Sequence, residues 1–136
     1  MQFVDTNIFL RHLTGDDPDK AQACFELFRK VQTGQVTLTT SEIVIAEVVY
    51  VLSSTQGGYG LSPAEIRQRL YPLLSLRGLK LPHRRMYLRA LDLYASHPID
   101  FEDAVIAAHM ERQKLSELYS YDRHFDRLPQ LARLEP

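Results

Sequence analysis

Phe3-Val4-Asp5-Thr6-Asn7-Ile8-Phe9-Leu10 is the stretch from which the rest of the chain reads. An apolar lead-in runs into a carboxylate, and hydrophobic periodicity resumes directly behind it. That pattern predicts a short buried strand ending at Asp5, with Thr6 or Asn7 opening a helix. In open α/β sheets ligands bind outside the carboxyl ends of the strands, which is where Asp5 projects. The alternative is that Asp5 only caps the helix that follows. What separates the two is whether the rest of the chain supplies partners for Asp5.

At 136 residues the chain predicts one domain, residues 1–136, large enough to bury a core unaided. Sixteen basic residues against seventeen acidic ones leave a formal charge of −1, so nucleic-acid binding is not advertised globally. A local basic rim beside an acidic site remains compatible with that balance. The single cysteine, Cys24, sits in a helical pattern and reads as a core filler, with no disulfide available within the chain. No signal peptide and no apolar run of membrane-spanning length is visible, which makes the cytoplasm the expected compartment.

Strands and helices alternate along the rest of the chain. Thr6 to about Leu13 reads as a helix stopped at Gly15, and Asp16 or Asp17 caps the next, with Pro18 in its first turn. That helix runs to about Thr33, followed by a β-branched strand from Val36 to Thr39. Thr39 and Glu42 fit a capping box for a helix from Ile43 to about Thr55. Within it, Glu47 shares a face with Ile43, Val44, Tyr50 and Val51, a costly place for a carboxylate unless Tyr50, an arginine or a ligand meets it. Gln56–Gly60 lacks the spacing of a phosphate-cradling loop and reads as a flexible turn.

Ser62 caps a helix to about Leu76, Leu79–Leu81 is a short strand, and His83–Ser96 is a helix carrying Arg84, Arg85 and Arg89. Asp100 is placed to cap the next helix, where Asp103 falls on the face of Ile106, Ala107 and Met110. Small Ala104, Ala107 and Ala108 permit close packing. A strand from Leu118 ends at Asp122, which repeats the placement of Asp5, and Leu134 belongs to a last edge strand. The alternation predicts an α/β fold with a mainly parallel sheet between helical layers.

Four acids stand out by position: Asp5 and Asp122 after strands, Glu47 and Asp103 on apolar helix faces. In such a layout they can converge at one edge, where their mutual repulsion calls for a hard divalent cation such as Mg²⁺ or Mn²⁺. One cysteine and five scattered histidines give no zinc-type ligand spacing. No Ser/His/Asp order suggests a nucleophilic triad.

Phe3–Asn7, Ile45–Val48 with Val51-Leu52, Phe101–Ala108 and Ser120–Phe125 resemble, in order, the motifs of PIN domains. A chain this compact is similar to the VapC-like toxins of toxin–antitoxin pairs. The resemblance implies a three-layer α/β/α fold, Mg²⁺- or Mn²⁺-dependent endoribonuclease activity, homodimerisation and a small VapB-like antitoxin as partner. It places Asp5, Glu47, Asp103 and Asp122 at a metal-binding catalytic site, with Asn7 and Ser120 as supporting polar groups. In this family an additional acid at Asp100 can face the site, but its capping role suffices; His124 could contact phosphate, but reads as a surface residue following Asp122. Arg11, Arg84, Arg85, Arg112 and Arg123 are candidates to hold the RNA backbone. Rival readings are a PIN-like RNA-processing nuclease outside a toxin–antitoxin pair, a catalytically inactive binding module, and a response-regulator-like domain. The last lacks the mid-chain acceptor aspartate and late lysine it needs.

Overall fold

A computed structural model describes residues 1–136, which form two compact units, Met1–Arg84 and Arg85–Pro136. In the first unit, strands β1 (Gln2–Phe3), β2 (Leu38–Thr39) and β3 (Leu79–Lys80) form a parallel sheet in the order β1-β2-β3. Gln2 pairs with Leu38, and Leu38 with Leu79. Parallel neighbours require crossovers, and helices α1 (Thr6–Thr14), α2 (Pro18–Gln32), α3 (Glu42–Ser53) and α4 (Pro63–Leu74) supply them. The strands are shorter than the apolar runs suggested, but the ladder extends beyond them. Val4 N–H donates to the Thr39 carbonyl (2.8 Å) and Thr40 N–H to the Lys80 carbonyl (3.1 Å). Buried Thr40 also donates its hydroxyl to the Val4 carbonyl at 2.9 Å. That bond holds the chain one residue before Asp5.

The core of this unit is drawn from Phe9, Phe28, Ile45, Val48, Leu52, Ile66, Leu70 and Leu79, and Cys24 is buried with them. Helix starts follow local chemistry where a side chain meets the orphan amides. Asp17 accepts from Lys20 N–H at 3.2 Å with Pro18 in the first turn, and Ser62 accepts from Glu65 N–H at 3.2 Å. The capping box assigned to Thr39 and Glu42 is not formed. Ser41 takes the N-cap position without a side-chain cap bond, and Thr39 donates its hydroxyl to the Lys80 carbonyl at 3.1 Å. Strand β2 extends through Thr39, so that residue is committed to the sheet rather than to the helix.

The Gly-rich turn folds back onto the end of α3. Tyr59 N–H reaches the Val51 carbonyl, and Leu61 N–H the Leu52 carbonyl. A Cβ on Gly58 would lie 2.3 Å from the Val51 oxygen, so only glycine fits that approach. The Tyr59 hydroxyl donates to Asp16, which fastens the turn to the α1–α2 connection as well.

In the second unit, α5 (Arg84–Ser96) and α6 (Phe101–Arg112) are followed by the parallel pair β4 (Glu117–Tyr119) and β5 (Ala132–Leu134). A 3₁₀ turn at Arg123–Arg127 lies between those strands. His83, in the left-handed region at φ 57°, delays the start of α5 to Arg84. Ala104, Ala107 and Ala108 are buried as their size suggested, with Leu91, Leu93, Phe125 and Leu128. Tyr94 and Phe101 meet edge to face, with centroids 5.6 Å apart. The α/β class with parallel pairing is as expected. No helix is long and apolar enough to cross a membrane.

Candidate metal centre

In the first unit Asp5 occupies the N-cap position of α1, yet its side chain makes no cap bond. The reading of Asp5 as merely a cap therefore fails. Asp5 and Asn7 are exposed. Glu47 is exposed too, contrary to its placement on a buried stripe. The faces of α3 that go inward carry Val44, Ile45, Val48, Val49 and Leu52, whereas Ile43 is 77 % and Tyr50 66 % exposed. The partner of Glu47 is neither Tyr50 nor an arginine: the Thr6 hydroxyl donates to its Oε2 at 2.7 Å. A residue adjoining Asp5 thus holds Glu47, across 41 positions of sequence.

The second unit concentrates charge. Asp100, Asp103 and His124 each offer a ligand atom, and these atoms lie within 4.8 Å of one another. Asp100 stands at the N-cap of α6 without a side-chain cap bond, so capping does not account for it. Asp103, half-buried in the first turn, has its carboxyl pushed above the usual carboxylate range. Burial is the main cause, followed by the negative charges of Asp122 and Asp100, while His124 pulls the other way. Asp122 sits at the start of the 3₁₀ turn. Its Oδ1 accepts from His124 N–H at 2.9 Å and lies 3.2 Å from His124 Nδ1. Ser120 in turn accepts from Asp122 N–H at 2.9 Å and shapes that turn.

A half-buried carboxyl crowded by the charges of Asp122 and Asp100, with an imidazole beside it, fits a bound dication. Neutral or anionic groups would leave the repulsion in place. Asp100 and Asp103, with His124, are the residues of this unit placed to hold one. His124 is exposed, as the sequence predicts, yet lies with these acids, and Thr6 does more than open a helix. Both owe their importance to contacts that hydrophobic periodicity does not encode.

The arginines divide into two groups. Arg11 is paired with Asp16 at 2.9 Å, and Arg84 donates to the Leu79 carbonyl. Arg85 and Arg112 line a pocket of about 310 Å³ in the second unit, where Arg89 is clamped by Glu111 at 2.8 and 3.2 Å. Arg123 is exposed on the turn after Asp122.

The model of the PIN-domain family matches residues 3–131, a span holding every acid named above. Comparison with curated protein sequences gives no match. Two solved structures are similar over almost the full length. One is the Mycobacterium tuberculosis VapC20 toxin, described as cleaving the sarcin–ricin loop, with 16 % identity, all of both chains covered and a TM-score of 0.40. The other is Rickettsia felis VapBC2 bound to a DNA fragment from its promoter, with 20 % identity, 98 % and 97 % of the two chains covered and a TM-score of 0.35. Both likenesses are distant, and the assignment rests on the family match: the chain belongs to the PIN-domain family.

Proposed function

We propose that the chain is a metal-dependent endoribonuclease, the toxin of a VapBC-type pair, working as one nuclease domain over residues 1–136. The observation that carries the nuclease reading is the Asp100–Asp103–His124 cluster, whose mutual repulsion a dication relieves. The family match supports it, and the toxin assignment follows the motif resemblance. Asp5, Glu47, Asp103 and Asp122 are the proposed metal-binding catalytic acids, with Mg²⁺ or Mn²⁺ as the ion. Asn7 and Ser120 support them, Ser120 by holding the Asp122 turn. A small VapB-like antitoxin and a second copy of the chain are the proposed protein partners, in the cytoplasm.

These acids would hold the dication, which when bound would supply a water of lowered pKa and stabilisation of negative charge on the phosphate. Water attacks phosphorus in line, the P–O3′ bond breaks, and the products carry a 5′-phosphate and a 3′-hydroxyl. The carboxylates orient the attacking water, and Thr6 keeps Glu47 fixed for that task. Arg85, Arg112 and Arg123 are the proposed contacts to the RNA backbone, Arg11 and Arg84 being engaged with protein partners.

The test is cleavage of a mixed RNA pool by the purified chain with Mg²⁺, with Mn²⁺ and with EDTA, beside Asp5→Asn and Asp103→Asn. Metal-dependent cleavage lost in both variants is the expected result. Absence of both cleavage and calorimetrically detectable metal binding overturns the reading and leaves a binding module.

A further inference from the structure

We propose that the pocket between α5 and α6 binds a phosphate monoester dianion, the group that ends a 5′-phosphorylated RNA strand, through Arg85 and Arg112. RNA as the source of that group rests on the nuclease reading above, whereas the phosphate chemistry stands on the pocket itself.

The pocket, about 310 Å³ in volume, is lined by Arg85, Met86, Arg89, Ala108, Glu111 and Arg112. Its three guanidiniums are not equivalent. Arg89 gives Nε to one Glu111 oxygen at 2.8 Å and Nη2 to the other at 3.2 Å, so both carboxylate oxygens are engaged within that pair. Three guanidiniums against one carboxylate leave two positive charges over. Arg85 and Arg112 carry them, since neither makes a hydrogen bond or ion pair with the protein. Arg112 lies in the last turn of α6, where the helix field favours a cation without any ligand. Arg85 has no such reason. It lies in the first turn of α5, the positive end, and no acid there offsets it. Both line one pocket, so a single anion answers both.

The charge count selects the anion. An internal RNA phosphate carries one negative charge and would leave a positive charge over. A phosphate monoester carries about −1.5 to −2 at pH 7 and offers three acceptor oxygens. Two planar guanidinium forks suit that group. The volume is at the small end for ligand sites, which fits a strand end or a free nucleotide rather than a run of several nucleotides. The proposed cleavage leaves this same group on its downstream product.

Equilibrium binding of the full chain in EDTA, where no metal-dependent cleavage intervenes, tests this. The probes are a short RNA oligonucleotide with a 5′-phosphate, the same one with a 5′-hydroxyl or a 5′-methyl phosphate, and AMP. The 5′-phosphate is expected to tighten wild-type binding at least about tenfold over the 5′-hydroxyl, and the monoanionic methyl ester about threefold at most. Arg85→Gln and Arg112→Gln should each cut the preference to about threefold or less, and the double variant should abolish it. Arg123→Gln, outside the pocket, should weaken all three oligonucleotides alike. These arginines are exposed, so unchanged circular dichroism spectra are expected. Equal binding of 5′-phosphate and 5′-hydroxyl RNA, a methyl ester as good as the free phosphate, or a preference that survives in the double variant overturns the proposal. AMP bound as tightly as the phosphorylated oligonucleotide assigns the pocket to free nucleotides; weaker binding assigns it to strand ends. RNA cleavage is scored separately with Mn²⁺. A chain with the end preference that never cuts RNA upholds the pocket and refutes the nuclease, and a nuclease without the preference does the reverse.

Discussion

The N-termini of α2 and α6 both carry an aspartate at the N-cap, and the two behave differently. Asp17 turns its carboxylate onto Lys20 N–H and closes the helix end. Asp100 leaves the corresponding amides alone and lies with Asp103 and His124. The field at the positive end of a helix favours a carboxylate in either position, so local electrostatics does not separate them. Company does: Asp17 has Lys20 nearby, at 3.9 Å, whereas Asp100 adds to a cluster that already disfavours the charged form of Asp103. The acids elsewhere repeat the contrast. Glu47 is held by a neutral hydroxyl, whereas Asp103 is crowded by like charge. Where a hydroxyl suffices, the residue is positioned; where charges crowd, a cation is called for.

The largest effect expected from this contrast is on cleavage. Asp103→Asn, or EDTA, should lower the RNA cleavage rate at least about a hundredfold, because metal stabilisation of the phosphate is worth several kcal/mol. A variant retaining more than a tenth of wild-type rate would dissolve the distinction between the two kinds of acid. Thr6→Val should cost less, about tenfold in rate, the scale of one hydrogen bond to a charged group. Thr6→Ser should restore most of that loss, which separates the hydroxyl from the methyl.

The caps give a smaller effect, read by chemical denaturation. Asp17→Ala should lose about 1 kcal/mol of stability. Asp100→Ala, with no cap bond to lose, should lose less than about 0.5 kcal/mol while weakening Mn²⁺ binding. Equal losses at the two positions would mean that Asp100 caps after all.

The smallest effect is a pH dependence in metal-free buffer. Because the folded state raises the Asp103 carboxyl pKa, it keeps a proton that the unfolded chain has already released. Stability from this group therefore falls as pH rises from the ordinary carboxylate range through the raised native value. Asp103→Asn escapes that loss, so its Tm should exceed wild type slightly at neutral pH and match it in acid. A constant offset at every pH would assign the difference to packing instead.

Much of this was legible in the chain itself. The caps at Asp17 and Ser62, the helix boundaries near Gly15 and Gly34, and parallel pairing all follow from local chemistry and alternation. These features depend on residues within a few positions of each other, where periodicity and capping rules operate. The motifs likewise singled out Asp5, Glu47, Asp103 and Asp122 before any geometry. The same reasoning failed for the face of Glu47, because α3 is apolar nearly all round and several stripes fit a core equally well. It failed for Thr39 because a sheet bond to Lys80 competed with the cap.

The sequence alone determined the elements, their alternation and the candidate acids, since these are written in spacing and residue type. Only the tertiary structure decided what each polar side chain meets. The Thr6–Glu47 bond joins positions 41 apart, and Asp100, Asp103 and His124 come from two elements separated by β4. Such partnerships arise from how elements pack. Local sequence sets which donor or acceptor each residue carries, and packing sets the distance that turns it into a bond, a cap or a ligand.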